Sequence, residues 1–245
     1  MSASKSALIL GATGQTGRAL LQQLLASNDF TRVGEYGRRL TPAEQISNGK
    51  EKLEQKVIDF EKLEESGLRN GKWDVVFVTL GTTKKQAGSA ENFVKIDRDY
   101  VINAARHAKW EDSEVPQRLV YVSAASAETN SYFLYTKTKG QTEEGLASLG
   151  YSDTIIFRPS MLQGAHREDS RLAETLFGKV TSVLSHFSSS IEIKIPTLAK
   201  AVYMAGKLGS DALPPAAQAS KVNKEGISYT VIPNSGAIAL AESSK

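Results

Sequence analysis

Short apolar runs alternate along this chain with stretches in which apolar residues recur at helical spacing. The run Asp74–Thr79 is uncharged after its first residue, which is typical of a strand buried on both faces. The other predicted strands are Ser6–Leu10, Thr31–Tyr36, Lys56–Phe60, Leu119–Ser123 and Thr154–Phe157, and the predicted helices between them are Arg18–Leu25, Ala90–Ala108 and Tyr135–Leu149. This alternation predicts an α/β fold, with a doubly wound, mostly parallel sheet and helices on both faces.

The pattern weakens beyond Phe157. The candidate elements there are helices over 172–184 and 197–208 and strands over 191–195 and 228–232. The segment Gly209–Lys224 is rich in Ala, Pro and Ser, which predicts a loop or a mobile insertion. The polar residues 41–55 predict a second loop, with a short helix in it.

The chain has 245 residues, of which 40% are hydrophobic, and is long enough to bury a substantial core. No long linker interrupts it. We therefore predict a single domain over residues 1–245, with a core over residues 5–164 and a small C-terminal extension over residues 165–245.

Charge and composition exclude several classes of function. The formal net charge is +3, and Lys and Arg are scattered among Asp and Glu, so no basic stripe favours nucleic-acid binding. The chain has no cysteine, and His107, His166 and His186 lack ligand spacing, so no metal site is predicted. No run approaches the roughly 20 apolar residues that span a bilayer. The first strand begins too early for a cleavable targeting peptide, so any membrane association is expected to be peripheral.

A glycine-rich turn follows the first predicted strand and leads into the first predicted helix. Glycine permits a tight turn and a close phosphate approach, while the unpaired N–H groups at a helix start attract an anion. The spacing is G-x-x-G-x-x-G rather than the commoner G-x-G-x-x-G. In this strand–turn–helix context it predicts a Rossmann-type dinucleotide site formed by Gly11, Thr13, Gly14, Gln15, Thr16 and Gly17.

Two arginines, Arg38 and Arg39, follow the second predicted strand, where NAD enzymes commonly place an acidic residue on the ribose 2′-hydroxyl. Guanidinium groups attract a 2′-phosphate, which an acidic residue would repel. Glu35 is the acidic alternative, although its position is predicted to lie inside the strand. The arginine pair therefore predicts NADP(H) as the cofactor bound by the core.

Tyr135 and Lys139 lie one turn apart at the start of a predicted helix and so share a face. A nearby ammonium stabilises the phenolate form of a tyrosine. Ser123, at the end of the fifth predicted strand, could donate a hydrogen bond to a substrate carbonyl beside Tyr135. These residues predict an acid–base site next to the glycine-rich turn, with Ser126 as the second candidate for the serine role.

With these motifs the chain resembles the short-chain dehydrogenase/reductase superfamily, whose signature is a Gly-rich first turn with a later Ser and Tyr-x-x-x-Lys. More narrowly, it resembles the atypical branch that contains the human Tat-interactive oxidoreductase-like protein and its fungal mitochondrial outer-membrane relatives. The residues that carry the resemblance are Gly11–Gly17, Gly37–Arg39, Thr79–Thr83, Val94–Tyr100, Phe133–Tyr135 with Lys139-Gly140, and Phe157–Pro159. It spans residues 5–164 and is much weaker in the C-terminal third.

The resemblance implies NADPH binding, with Tyr135 as the acid–base, Lys139 as its electrostatic partner and Ser123 as the residue that orients the carbonyl. Where the superfamily often has an Asn on the helix before the fifth strand, this chain has Asp97. The further cofactor contacts implied are Leu80 and Gly81 over the cofactor, Asp59 near the adenine, and Pro159 and Ser160 near the nicotinamide.

Two functions are consistent with the sequence. One is a dehydrogenase or reductase that transfers a hydride between NADP(H) and a small carbonyl or alcohol. The other is an NADPH-binding regulatory or scaffold protein whose C-terminal region docks a protein partner. The resemblance further implies peripheral attachment to the cytosolic face of the mitochondrial outer membrane, with the cytoplasm as the alternative.

Overall fold

A computed structural model of the chain describes residues 5–110, 115–163 and 192–243. The strands are β1 (Lys5–Leu10), β2 (Phe30–Gly37), β3 (Leu53–Val57), β4 (Val75–Val78), β5 (Arg118–Val122), β6 (Asp153–Arg158), β7 (Met161–Gln163), β8 (Glu192–Lys194), β9 (Ser220–Lys224) and β10 (Ile227–Pro233). The α-helices are α1 (Gln15–Ala26), α2 (Lys84–Ala87), α3 (Ala90–Val94), α4 (Tyr100–Ala108), α5 (Leu134–Ala147), α6 (Ile195–Leu208) and α7 (Asn234–Glu242). A π-helical turn, Lys95–Asp99, joins α3 to α4.

The central sheet has the strand order β3-β2-β1-β4-β5-β6-β10-β9. Neighbouring strands are parallel except for β10 and β9, which pair antiparallel at one edge. Because β1 lies between β2 and β4, the direction of winding reverses there, which makes a topological switch point. The predicted doubly wound, mostly parallel α/β fold is confirmed.

Side chains of β1 alternate between the two faces of the sheet. Ala7 and Ile9 join an apolar cluster that includes residues of α1, α6 and α7. Leu8 and Leu10 join a second cluster that includes residues of α4 and α5. Helices therefore cover both faces of the sheet, as its nearly continuous apolar strands require.

Two edge strands differ from the sequence predictions for the same physical reason. The third strand was predicted over 56–60, but β3 begins at Leu53 and ends at Val57. The predicted loop over 209–224 contains β9. Both strands are mostly exposed and polar, and edge strands commonly carry charges that prevent further pairing. Their sequences therefore lack the apolar signature on which strand prediction depends.

Several helix predictions also need correction. The helix predicted over 90–108 is interrupted by the π-helical turn. The run predicted as a strand over 191–195 gives the short β8, after which α6 begins at Ile195, and α7 was not predicted. The helix predicted over 172–184, with His166 and His186, lies outside the described residues. Within the described ranges, no helix is long and apolar enough to cross a membrane.

Candidate functional site

Strands β1 to β6 end at one edge of the sheet, which we call the carboxyl edge. Most of the predicted site residues follow a strand end: Gly11–Gly17 after β1, Arg38 and Arg39 after β2, Asp59 after β3, Leu80 and Gly81 after β4, Ser123 after β5, and Pro159 and Ser160 after β6. Tyr135 and Lys139 lie near the start of α5. The switch point between β1 and β4 opens at the same edge, where doubly wound sheets bind their ligands.

The glycine-rich turn packs tightly against the loop after β4. Gly11 has a φ of +97°, and a Cβ there would lie 2.8 Å from the backbone nitrogen of Leu80. A Cβ on Gly17 would lie 2.1 Å from the carbonyl oxygen of Gly11. The first and third glycines of the motif are therefore required by packing within the protein.

The middle glycine, Gly14, has a different environment. It is exposed, and the nearest atom to a Cβ there is the carbonyl oxygen of Gly11, at 3.3 Å. Gly14 is also the N-cap of α1, gives no side-chain cap, and precedes a first turn without acidic residues. The N–H groups and positive dipole end of α1 are thus available to an anion, which fits a pyrophosphate.

Glu35, the acidic alternative to the arginine pair, forms hydrogen bonds inside the protein. Glu35 is buried, and one of its carboxylate oxygens accepts hydrogen bonds from the backbone nitrogen and the hydroxyl of Thr41, both at 2.8 Å. Gln55 donates to the other oxygen at 2.7 Å. Glu35 therefore stabilises the loop after β2, whereas Arg38 and Arg39 are exposed in that loop.

Lys139 is buried and forms an ion pair with Asp97, with 2.8 Å between Nζ and Oδ2. It also donates to the hydroxyl of Tyr121 at 3.2 Å and lies 6.0 Å from the ring centroid of Tyr135. Burial by itself would lower the pKa of Lys139, but Tyr121, Asp97 and Tyr135 outweigh it and the pKa is raised. Burial raises the pKa of Tyr121 to about 12. Lys139 is therefore held as an ammonium.

Asp97 lies on the π-helical turn and has no exposed surface. Its Oδ1 accepts from the backbone nitrogen of Thr82 at 2.6 Å, and its carbonyl accepts from the hydroxyl of Thr142 at 3.0 Å. The sequence identified Asp97 only as the substitute for an Asn, and it gave no sign of the ion pair with Lys139. The apolar periodicity over 90–108 continues through the π-helical turn, so the sequence could not show that the helix is interrupted.

Ser123 and Tyr135 differ in their surroundings. The Oγ of Ser123 is buried and has no hydrogen-bond partner among the described residues. Most buried polar groups are paired, so such a hydroxyl needs an explanation. Tyr135 is 44% exposed, with its ring tilted against that of Phe93 at 6.0 Å. Ser126 lies in an exposed turn beyond the strand end, which favours Ser123 for the serine role.

Comparison with known proteins gives clear matches in sequence. Residues 11–182 match the family described as NAD(P)H-binding. The protein HTATIP2 of Rattus norvegicus is 37% identical over 201 residues, which cover 81% of this chain and 80% of that protein. A mitochondrial fmp52 protein of Emericella nidulans is 34% identical over 186 residues, or 75% of this chain and 78% of that protein.

Solved structures with the same fold are more distant in sequence. A short-chain dehydrogenase/reductase of Saccharomyces cerevisiae has a TM-score of 0.65 at 14% identity, covering 94% of this chain and 96% of that one. The enzyme WbmH of Bordetella bronchiseptica, in complex with NAD+, has a TM-score of 0.61 at 18% identity, covering 82% and 72%. The strand order, the glycine-rich turn and the sequence matches agree that this chain belongs to the NAD(P)H-binding family, as an atypical short-chain dehydrogenase/reductase similar to HTATIP2 and the FMP52 proteins.

Proposed function

We propose that this protein is an NADPH-dependent reductase or dehydrogenase that acts on a small carbonyl or alcohol. The observation that carries the proposal is a buried ammonium, Lys139, one helical turn from the exposed Tyr135. The hydroxyl of Ser123, which has no partner within the described ranges, lies at the same edge of the sheet. A protein that only binds a dinucleotide has no chemical need for this set of groups.

The described residues fit a nicotinamide dinucleotide phosphate. The exposed Gly14 and the uncapped start of α1 would hold the pyrophosphate. Arg38 and Arg39 would hold the 2′-phosphate, and Lys139 the hydroxyls of the nicotinamide ribose. The cofactor, when bound, supplies or accepts the hydride. The remaining predicted contacts are Asp59, Leu80, Gly81 and Pro159, with Thr13, Gln15, Thr16 and Gly17 in the turn.

The chain's own residues would manage the substrate oxygen. Ser123 would donate a hydrogen bond to the carbonyl oxygen and so fix its position. In the reductive direction, Tyr135 would transfer its phenolic proton to that oxygen as the alcohol forms. Lys139 would stabilise the phenolate left on Tyr135 by its positive charge.

The test is NADPH oxidation by the purified protein with a panel of small aldehydes and ketones. Wild type is expected to turn over at least one of them, and Tyr135→Phe is expected to lose turnover while still binding NADPH. Phenylalanine keeps the ring contact with Phe93, so the substitution removes only the hydroxyl. Turnover by the variant at the wild-type rate would contradict the role of Tyr135, and no wild-type turnover with any carbonyl would contradict the enzyme.

A second function, an NADPH-binding scaffold, is favoured by one specific observation. Tyr132 and Phe133, which precede α5, are 104% and 70% exposed. Exposed aromatic side chains are enriched where proteins bind other proteins. In this function the wild type turns over no carbonyl and retains a protein partner only when NADPH is present. Replacing Tyr132 and Phe133 with serine would then abolish that retention.

We also propose that the protein attaches peripherally to the cytosolic face of the mitochondrial outer membrane. The support is the mitochondrial description of the fungal relatives, together with the absence of a spanning helix from the described residues. Alkaline carbonate is expected to release the protein from isolated mitochondria, and added protease is expected to degrade it while the outer membrane is intact. Retention in the carbonate pellet would contradict peripheral attachment.

A further inference from the structure

The buried ion pair between Asp97 and Lys139 is not explained by stability. The Asp97 and Lys139 side chains are 0% and 5% exposed. Removing two charges from water costs about as much as their attraction returns, so such a pair adds little stability compared with apolar residues. Asp97 also lies on a π-helical turn, a feature that occurs frequently at functional sites. Both observations point to a role in the site.

Two neighbouring elements hold Asp97 in place. The backbone nitrogen of Thr82, in the loop after β4, donates to Oδ1 at 2.6 Å. The hydroxyl of Thr142, on α5, donates to the carbonyl oxygen at 3.0 Å. The loop after β4 thus fixes the carboxylate of Asp97, and α5 contacts its main chain through a hydroxyl that also donates to the carbonyl of Thr138 at 2.7 Å.

The ammonium of Lys139 has more hydrogen-bond donors than these contacts use. An ammonium has three N–H donors. Among the described residues, the hydroxyl of Tyr121 accepts a hydrogen bond from one of them, and the ion pair with Asp97, at 2.8 Å, occupies a second. The Nζ atom lies 3.8 Å from the position of a Cβ on Gly81 and 6.0 Å from the ring centroid of Tyr135. The remaining donor is therefore available on the side where the cofactor crevice is proposed.

We infer that Asp97 is a positioning residue that keeps Lys139 charged and leaves one of its N–H donors for a hydroxyl of the cofactor ribose. This inference rests on the proposed cofactor site. The groups facing Lys139 are Asp97 from the π-helical turn, Tyr121 from β5 and Tyr135 from α5. The pKa of Tyr121 is raised to about 12, so its hydroxyl is neutral near neutral pH, and among the described residues the carboxylate that offsets the cost of burying the ammonium is that of Asp97.

The experiment is calorimetric titration of NADPH against wild type and Asp97→Asn from about pH 7 to 9, where the 2′-phosphate stays dianionic. In wild type the affinity is expected to be flat, because Lys139 stays protonated. Without Asp97, burial lowers the pKa of Lys139, so the ammonium is lost as the pH rises. Asp97→Asn is expected to lose about tenfold in NADPH affinity across this range.

Three controls isolate the effect. Lys139→Met gives the affinity without the ammonium, and adding Asp97→Asn to it is expected to cause no further loss. Glu143→Gln removes a different buried carboxylate, which lies on α5 and whose partner Arg158 is 2.6 Å away. Arginine stays protonated throughout, so this variant is expected to have a flat pH profile.

The outcomes separate the two proposals. If Lys139→Met binds NADPH as tightly as wild type, the proposed cofactor site is wrong. If Lys139→Met binds weakly and Asp97→Asn has a flat profile, only the role of Asp97 is overturned. If Asp97→Asn does not fold, the variant that also carries Lys139→Met is expected to fold, because no unpaired charge remains. An unfolded double variant would show a purely structural role and overturn the inference.

Discussion

Two polar clusters lie at opposite edges of the central sheet, and they differ in how much of their hydrogen-bonding capacity is used. We call the edge at which strands β1 to β6 begin the amino edge. Here Asp29 precedes β2 and accepts hydrogen bonds from Ser27 at 3.1 Å and from Tyr203. Lys207 lies 3.0 Å from the same carboxylate. This cluster ties α1 and β2 to α6, and its members bond mainly to one another.

The last carbonyl groups of α6 also accept hydrogen bonds from side chains of the protein. Lys5 donates to the carbonyl of Lys207 at 2.6 Å, and Arg118 donates to the carbonyl of Gly206 at 2.6 Å. Cations at a helix C-terminus bond the last carbonyls and favour the negative end of the dipole.

The cluster at the carboxyl edge contains hydrogen-bonding groups that are not used within the described residues. The start of α1 has no side-chain cap, Lys139 has a donor to spare, and the hydroxyl of Ser123 has no partner among the described residues. A missing partner is not sufficient evidence by itself, because Thr154, near the start of β6, also has a buried hydroxyl that no residue of the described part of the chain pairs. What distinguishes the carboxyl edge is that several such groups occur together. We therefore propose that the amino-edge cluster serves stability, and that the carboxyl-edge cluster serves ligand binding.

The largest effect is expected from Gly17→Ala. Its Cβ would lie 2.1 Å from the carbonyl oxygen of Gly11, so the turn must open. We expect a loss of about 2 kcal/mol or more in the free energy of unfolding, although alanine favours a helix by about 1 kcal/mol. NADPH binding should fall below detection in calorimetry.

Gly14→Ala is the matched control, since its Cβ would lie 3.3 Å from the carbonyl oxygen of Gly11, a tight contact that needs only a small shift. It should lose less stability than Gly17→Ala, about 1 kcal/mol because alanine is a poorer N-cap than glycine, but bind NADPH about tenfold or more weakly, because its methyl group occupies the face proposed for the pyrophosphate. Wild-type stability and affinity in Gly17→Ala would show that the turn does not depend on this contact.

The next effect concerns cofactor choice. Arg38→Glu replaces an exposed cation after β2 with an anion. It should weaken NADPH binding about tenfold or more, since charge-assisted hydrogen bonds to the 2′-phosphate are lost, and should leave NADH binding unchanged or stronger. Titration of both cofactors checks this. Arg106→Glu, an equal charge change near the end of α4, should not alter the preference, and equal wild-type affinities would contradict NADP specificity.

The sequence could predict the carboxyl-edge residues that depend on local order, but not those that depend on contacts between elements. The glycine-rich turn could be recognised from the order of one strand, one turn and one helix. The pair Tyr135 and Lys139 could be recognised from its spacing within one helix. The contact of Asp97 with Lys139 needs a π-helical turn, which leaves no mark in the apolar pattern. The amino-edge cluster was missed as well, because Asp29 and Tyr203 are far apart in the chain and neither belongs to a motif.

A smaller effect is expected from Tyr203→Phe, which removes the hydrogen bond to Asp29 and the contact with the hydroxyl of Ser27 at 2.6 Å, and keeps the ring contact with Phe30. The variant should lose about 1 kcal/mol of stability at neutral pH, a modest value because the Asp29 side chain is 35% exposed. NADPH affinity should not change. Weaker binding of NADPH would contradict the separation of the two clusters.

The same variant has an expected pH dependence. The hydrogen bond from Tyr203 lowers the pKa of Asp29 below its usual value of 3.8. Its stabilisation is therefore present when the carboxylate is ionised and is lost as the pH falls through the lowered pKa. Denaturation in urea at neutral pH and near pH 3 should show that wild type and Tyr203→Phe become more similar in acid. A stability difference that grows in acid would show that the hydrogen bond does not act through the ionised carboxylate.

The smallest effect on stability, and the sharpest separation of stability from function, is expected from Ser123→Ala. Leaving a buried hydroxyl unpaired costs free energy, so its removal should leave stability within about 0.5 kcal/mol of wild type or raise it slightly. Ser66→Ala is the stability control, because the buried Ser66 hydroxyl donates to the carbonyl of Leu63 and accepts from the backbone nitrogen of Leu68. Its loss should cost about 1 kcal/mol.

Thr154→Val is the activity control for Ser123→Ala, since it removes an unpartnered buried hydroxyl away from the carboxyl edge. Turnover of the carbonyl identified with wild type should fall in Ser123→Ala and persist in Thr154→Val, with both variants as stable as wild type in urea. If Ser123→Ala instead loses as much stability as Ser66→Ala, the hydroxyl serves the fold. The two edges of the sheet would then not differ in the way proposed, because the group with the most unused capacity would have a structural partner after all.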